Sequence, residues 1–285
     1  MRPLAGRYEL GDPIGRGGMS VVLRAHDRTL GKDVALKIIA SNRTADRRLR
    51  RLVRTEAAYG GRVEHPHVAR IYDDGIGRVP GRGRVPFVVM ELLDGVTLAE
   101  RLMSGPLPWP VALRVCGQIA SAVAATHRAG VLHRDVNPAN VMLVEEGAKL
   151  MDFGFAAAID DPDADPAGLV LGTMEYLAPE RWAGGAAVAS TDVYGIGLTL
   201  YECLAGTRPW PGRTGSDLMS ARVHLRPQPL PLLDGLPMDV PTLVLRCLAP
   251  EPLDRPPALI VAEALLANRA PSGARRSLVG AGNGR

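Results

Sequence analysis

Over the first 92 residues, hydrophobic positions alternate with polar ones in short runs broken by glycine and aspartate. Tyr8–Ile14, Ser20–His26 and Val34–Ala40 carry Val, Ile and Leu at alternate positions, the period-two pattern of half-buried strands. Residues 46–60 change period. Leu49, Leu52, Val53 and Ala57 form an apolar stripe at spacings of three and four, which predicts a helix. Two further strands are expected near Val68–Ile76 and Pro86–Leu92. Between them Gly77–Val85, rich in Gly, Pro and Arg, reads as an exposed hairpin loop.

From about residue 97 the pattern becomes helical. Val111 to Ala129 is apolar nearly all round, which marks a buried helix. Pro110 stands where a first helical turn tolerates it, and Gly130 where a left-handed cap is wanted. Short strands are expected at Val141–Val144 and Ala148–Met151. Further helices are expected at Thr191–Ala205, Gly215–His224, Val240–Leu248 and Pro257–Ala267. The outline is α+β, a small β-rich lobe followed by a larger helical one, with no internal repeat. The tail, residues 269–285, is Gly, Ser, Ala and Arg with little to bury, and is expected to be disordered.

Composition narrows the function classes. At 285 residues and 46% hydrophobic content the chain can bury a sizeable core, though aromatics are only 4%, so Leu, Val, Ile and Ala must fill it. A net charge of +4, with no basic stripe interleaved with aromatics, gives no case for nucleic acid. No apolar run reaches the roughly 18 residues of a membrane span; Arg114 and Asp192 interrupt the two most apolar stretches. Met1–Tyr8 lacks the apolar centre of a secretory signal, so a soluble, cytoplasmic protein is expected. Cys116, Cys203 and Cys247 are far apart and sit in apolar helical contexts, which predicts buried free thiols in a reducing compartment.

Chemistry concentrates in five places. Gly15-Arg-Gly17-Gly18-Met-Ser20 lies between two strands; glycines let backbone N–H groups approach phosphate oxygens, although Gly-rich hairpin turns are common. It is not a dinucleotide-binding fingerprint, because Ser20 replaces the third glycine and a strand follows. Lys37 is one of three lysines in a chain that otherwise uses arginine, and a compact ammonium suits a crowded phosphate site; a solvated strand lysine is the alternative. Glu56 on the following helix is its candidate partner, or else a surface carboxylate among arginines. The richest segment is His133-Arg134-Asp135-Val136-Asn137-Pro138-Ala139-Asn140, followed by Asp152-Phe153-Gly154. An aspartate there can orient a hydroxyl and accept its proton, and Asn140 with Asp152 can offer oxygen ligands to Mg²⁺.

Taken in order, these segments resemble the protein-kinase signature set: Gly loop, VALK, helix glutamate, HRDxxxxN, DFG, then Ala178-Pro179-Glu180 and a late Arg255. The Gly-Gly-Met-Ser wording is most similar to the bacterial eukaryotic-like (Hanks-type) Ser/Thr kinases. The resemblance implies the bilobal protein-kinase fold over residues 8–268, with an N-lobe of about 8–92 and a C-lobe of about 93–268. It implies Ser/Thr protein kinase activity, with ATP and Mg²⁺ (or Mn²⁺) as cofactors and a protein substrate as partner. Gly15, Gly17 and Gly18 would cover the phosphates, and Lys37, held by Glu56, would contact them. Ile14, Val22 and Ala35 would lie over the adenine and Met142 under it, with Met90 as gatekeeper and Glu91 and Leu93 at the adenine edge. Asp135 would act on the hydroxyl, and Asn140 and Asp152 would hold the metal. Glu180, Asp192 and Arg255 would be structural, and Thr173 would favour Ser/Thr acceptors.

Two features depart from that pattern. Asn137 stands where Ser/Thr members carry a lysine. A lost charge-assisted hydrogen bond of about 1.5–3 kcal/mol would slow transfer roughly ten- to a hundredfold. A nucleotide-binding pseudokinase acting as a scaffold is the alternative function. Second, Phe155 to Gly172 contains no Ser, Thr or Tyr, although Arg134 marks the class ordered by phosphorylation there. Asp160, Asp161, Asp163 and Asp165 would substitute for phosphate by pairing with Arg134 or the 47–54 arginines, or would simply be solvated. With no span or sensor segment legible, input is expected from a partner, a soluble ligand or homodimerisation.

Overall fold

The computed structural model describes residues 3–16, 20–39, 47–79, 83–154, 156–159, 173–212 and 215–268. Gly17, Gly18, the aspartates at 160–165, the side chains of residues 47–52 and the tail from residue 269 lie outside them, and so do the expectations placed on them. The chain divides into two compact units. One comprises Met1–Glu64, Ala69–Asp94 and Asp152–Ala156; the other His65–Val68, Gly95–Met151 and Ala157–Arg285.

The first unit is a five-stranded antiparallel sheet with one helix. Its strands are β1 (Tyr8–Arg16), β2 (Ser20–Asp27), β3 (Lys32–Ile39), β4 (Ile71–Val79) and β5 (Gly83–Glu91), and α1 spans Arg47–Gly60. The strand order is β1-β2-β3-β5-β4, which places β3 centrally and buries it on both faces. Leu4, Tyr8, Leu36, Ile38, Val85, Phe87 and Val89 pack as one core, with Tyr8 edge-on to Phe87 at 5.6 Å. Ile39, Val88 and Val53 of α1 form a second cluster. Long apolar β-branched runs between short turns make this sheet inevitable once α1 supplies a cover.

Two strand expectations need correction. Gly77–Val85 is not a loop: Gly77 pairs with Val85 and Val79 with Gly83, so the β4–β5 ladder runs almost to the tip. Gly77 serves packing there. A Cβ on it would lie 2.2 Å from Leu4 Cδ1, so glycine marks a close approach of the N-terminal segment and not a turn. In addition, β4 begins at Ile71; Val68 instead bridges Leu150 within the second unit.

The second unit holds β6 (Val96–Thr97), α2 (Leu98–Leu102), α3 (Trp109–Arg128), β7 (Val131–Leu132), β8 (Val141–Val144), β9 (Gly147–Leu150), β10 (Ala157–Ala158), α4 (Pro179–Trp182), α5 (Ala189–Ala205), α6 (Gly215–His224), α7 (Asp239–Cys247) and α8 (Ala258–Ala267). Strands β6, β8 and β9 form one small sheet, and β7 pairs with β10. The central α3 buries twelve residues. Gly117 lets α8 approach, since a Cβ there would lie 2.8 Å from Leu266. Gly130 takes φ +73°, the left-handed cap its position asked for. Helix α2 is too short for periodicity to reveal, but a reciprocal Thr97–Glu100 capping box starts it. All three cysteines are buried free thiols. Among the described residues no helix is long and apolar enough to cross a membrane.

Candidate active site

Within the first unit, register decides which side chains meet. Val22 lies opposite Lys37, Lys37 opposite Val88, and Ala35 opposite Met90, so Val22, Ala35, Lys37 and Met90 share one face of the sheet. Gly15 pairs with Val22, and Ile14 beside it is exposed. The Glu91 amide donates to the Arg70 carbonyl at 2.8 Å. Leu93 follows β5 and is half-buried.

Lys37 is buried, and its Nζ donates to both oxygens of Glu56 at 3.1 Å and to Asp152 Oδ1 at 2.6 Å. Burial alone would lower the lysine pKa, but the two carboxylates hold it above its usual value. Burial pushes Glu56 the other way, up to about 7, against the pull of the ammonium. Of the two carboxyl groups on this ammonium, Asp152 is the better exposed. Asp152 takes a left-handed φ of +62°, and the Gly154 amide donates back to its Oδ1 at 3.1 Å. A Cβ at Gly154 would come to 3.0 Å of that oxygen, a crowding that glycine avoids. Phe153 is buried against Gly60 at the end of α1.

Within the second unit, the residues after β7 form a tight hydrogen-bonded loop around Asp135. Its Oδ1 accepts the Thr173 amide and its Oδ2 accepts Asn140 Nδ2, both at 2.8 Å. Asn140 Nδ2 also donates to the Asp135 carbonyl, so the amide nitrogen is committed and Oδ1 is the atom left to offer a metal. Asn137 is buried; its Nδ2 donates to the Asp135 carbonyl and to Thr173 Oγ1, both at 3.1 Å. Its Oδ1 accepts the Ala139 amide and caps the short 3-10 turn Pro138–Asn140. A narrow cavity of about 10 Å³, room for a single water, lies beside Asp135, lined by Arg134, Thr173, Tyr176, Leu177 and Gly195 among others. Met142 lies on β8, opposite Lys149 and half-buried.

This loop hangs on Asp192, a fully buried carboxylate on α5. It accepts the amides of His133 at 2.9 Å and Arg134 at 2.7 Å, and contacts His127 Nε2 at 2.8 Å. Burial would raise its pKa, yet the hydrogen bond with His127 and the neighbouring histidines hold it below the ordinary carboxylate value. Arg134 is thereby kept at φ +68°, a conformation a non-glycine residue adopts only when its surroundings over-determine it. Lower down, Arg255 makes a two-pronged bond to Glu180, at 2.8 and 2.7 Å, and Thr191 donates to the same carboxylate.

Three positioning contacts have no counterpart in the sequence reading: His127 on Asp192, His133 Nε2 on the Met151 carbonyl, and Arg222 on the 175–177 backbone. None carries a local signal, since each side chain reaches a segment remote in the chain.

Within the first unit Asp152 carries a carboxylate, and within the second Asn140 carries an amide oxygen, each a donor of the kind a divalent cation takes. Among the described residues no cluster of three or more His, Cys, Asp or Glu forms a self-sufficient cage. Sparse oxygen ligands of this kind suit Mg²⁺, which keeps waters and takes phosphate oxygens.

Comparison with known proteins agrees with this chemistry. The family model described as the protein kinase domain matches residues 8–266. The chain is 38% identical over 258 residues to the serine/threonine-protein kinase PknB of Mycobacterium leprae, covering 88% of this chain and 41% of that protein. It is 37% identical over 243 residues to the serine/threonine-protein kinase PknA of Mycobacterium tuberculosis, covering 85% of this chain and 56% of that one. It thus spans about two-fifths to just over half the length of these curated relatives. The match runs through every segment built above, from β1 to α8, and the chain belongs to the protein kinase domain family.

Proposed function

We propose that this chain is a Ser/Thr protein kinase of the bacterial Hanks type, with residues 8–268 as the catalytic domain. The observation that carries the reading is the Asp135 carboxylate, fixed by Asn140 and the Thr173 amide. Each oxygen keeps a lone pair for an incoming hydroxyl. Asp135 orients that hydroxyl and takes its proton as its oxygen bonds to the γ-phosphorus and the bond to the departing diphosphate breaks.

In this reading Lys37, set by Glu56, contacts the α- and β-phosphates. Asn140 and Asp152 would hold a metal, Mg²⁺ by preference and Mn²⁺ as a substitute, and such an ion would supply positive charge beside the phosphates. Gly15, Gly17 and Gly18 cover the phosphates; Ile14, Val22, Ala35, Met90, Glu91, Leu93 and Met142 receive the adenine. Free buried thiols suit a reducing, cytoplasmic setting for the domain.

The test is transfer of radiolabelled phosphate from Mg·ATP by the purified chain, alone and with a generic basic acceptor protein. Lys37→Met and Asp135→Asn are the controls. Label that disappears in both supports the reading. No label from the wild-type chain, together with thermal stabilisation by ATP, would replace it with a nucleotide-binding scaffold.

A further inference from the structure

Arg222 presents a problem of burial. It lies on α6, is only 8% exposed, and points its guanidinium at backbone and not at a carboxylate. Nη1 donates to the Leu177 carbonyl at 2.5 Å and Nη2 to the Glu175 carbonyl. Its carbon lies 5.7 Å from the Tyr194 ring centre and 5.6 Å from that of Trp210, and the two rings stack at 6.3 Å. Trp210 is itself pinned by donating Nε1 to the Leu225 carbonyl at 3.0 Å. Among the described residues Nε of Arg222 has no hydrogen-bond partner.

A cation placed this way is a poor device for stability. Burial pulls its pKa down, and the cation's own desolvation is a cost that an apolar side chain would not carry. What the arginine does uniquely is span two carbonyls with a rigid fork while stacking against aromatics. Those carbonyls belong to the segment that starts at Thr173, whose amide holds Asp135, and Tyr176 and Leu177 line the cavity beside that carboxylate. Arg222 therefore fixes the cavity wall opposite in sequence to the catalytic loop, from behind.

We propose that Arg222 is a positioning residue for the protein acceptor: it holds the Glu175–Leu177 backbone, and with it the segment whose Thr173 amide fixes Asp135, where an acceptor hydroxyl must approach. The inference rests on the kinase reading above and adds to it which interaction sets acceptor affinity. Tyr194 links this clamp to the Glu180–Arg255 pair, because Arg255 also lies over its ring, at 4.9 Å. One aromatic side chain of α5 thus stands beside both arginines that anchor the 173–180 segment.

The experiment compares wild type, Arg222→Met and Arg222→Lys in steady-state transfer to a histone mixture, measuring KM for acceptor and for Mg·ATP alongside the thermal midpoint. Methionine keeps the packing and removes the fork. Expected is an acceptor KM raised about tenfold or more in Arg222→Met, an unchanged KM for Mg·ATP, a modestly lowered thermal midpoint because two carbonyls lose their donor, and partial recovery in Arg222→Lys. An unchanged acceptor KM overturns the proposal. So does a parallel loss of acceptor affinity, nucleotide affinity and thermal midpoint, which marks a merely structural arginine. Hydrogen exchange separates this from the kinase reading. Amides of residues 174–178 should exchange faster in Arg222→Met. Unchanged exchange there overturns the clamp even if the wild-type chain transfers no phosphate at all.

Discussion

Asn137 donates a hydrogen bond from Nδ2 to Thr173 Oγ1 at 3.1 Å, tying the catalytic loop to the start of the 173–177 segment. Each polar atom of the Asn137 amide group is engaged, since Oδ1 caps the 3-10 turn at Ala139. The residue is therefore a structural substitute for the family's lysine, without its charge.

That gives the first prediction. Asn137→Lys supplies a cation for the transferring phosphoryl group and should speed transfer roughly ten- to a hundredfold. Lysine cannot accept the Ala139 N–H, so the same variant should lose about 1 kcal/mol of stability. Single-turnover rates and chemical denaturation read the two effects separately. A rate unchanged or lower sinks the idea that the missing charge limits turnover.

The Lys37–Glu56 pair predicts a pH dependence. Burial raises the Glu56 carboxyl from 4.5 to about 7 in the folded chain. Between those values the folded state binds more protons than the unfolded one, so this group's stabilisation is full below the unfolded value and declines as pH rises through about 7. His65 and His67, whose pKa values burial lowers, act with the opposite sign, and the comparison must cancel them. Glu56→Gln should flatten the decline in thermal midpoint between about pH 5 and 7.5 relative to wild type. An identical slope in both proteins would assign the effect to other groups.

Removing Arg255 should be costly. Its side chain is fully buried, and truncation strips Glu180 of two hydrogen bonds while orphaning the Ala249, Ser190 and Pro250 carbonyls. Arg255→Ala is expected to destabilise by about 3–5 kcal/mol. Arg255→Lys should recover only a minority of that, because an ammonium cannot reproduce the fork. Urea denaturation measures both; a loss below about 1 kcal/mol in the alanine variant would contradict the assignment.

Gly195 is a steric prediction. A Cβ there would lie 2.5 Å from the Val136 carbonyl oxygen, so α5 and the catalytic loop touch backbone to side. Gly195→Ala must push the loop aside. It should cost about 1–3 kcal/mol and depress phosphate transfer together, with Gly197→Ala, set against Cys247, lowering stability in the same range as a control remote from the loop. Transfer at the wild-type rate in Gly195→Ala would show that the loop yields without consequence.

Much of this protein was legible without coordinates because its chemistry is written in short contiguous strings. Apolar periods of two and then of three to four separated the β-rich from the helical part, and the HRDVNPAN and DFG segments gather their polar side chains within eight residues or fewer. Backbone-local chemistry of that kind needs no partner to be recognised. What the residues alone left open was most of the relationships closed over distance. Whether Glu56 faced Lys37 or solvent depended on which side of α1 met the sheet, and the cluster of Val53 with Ile39 and Val88 settled that. Gly77 read as a turn because glycine has two uses, and only the approach of Leu4 shows which applies. Arg222 looked like one more arginine in an arginine-rich chain. Its role exists only because α6 brings it under the Glu175 and Leu177 carbonyls, a placement set by long-range packing to which no local pattern points.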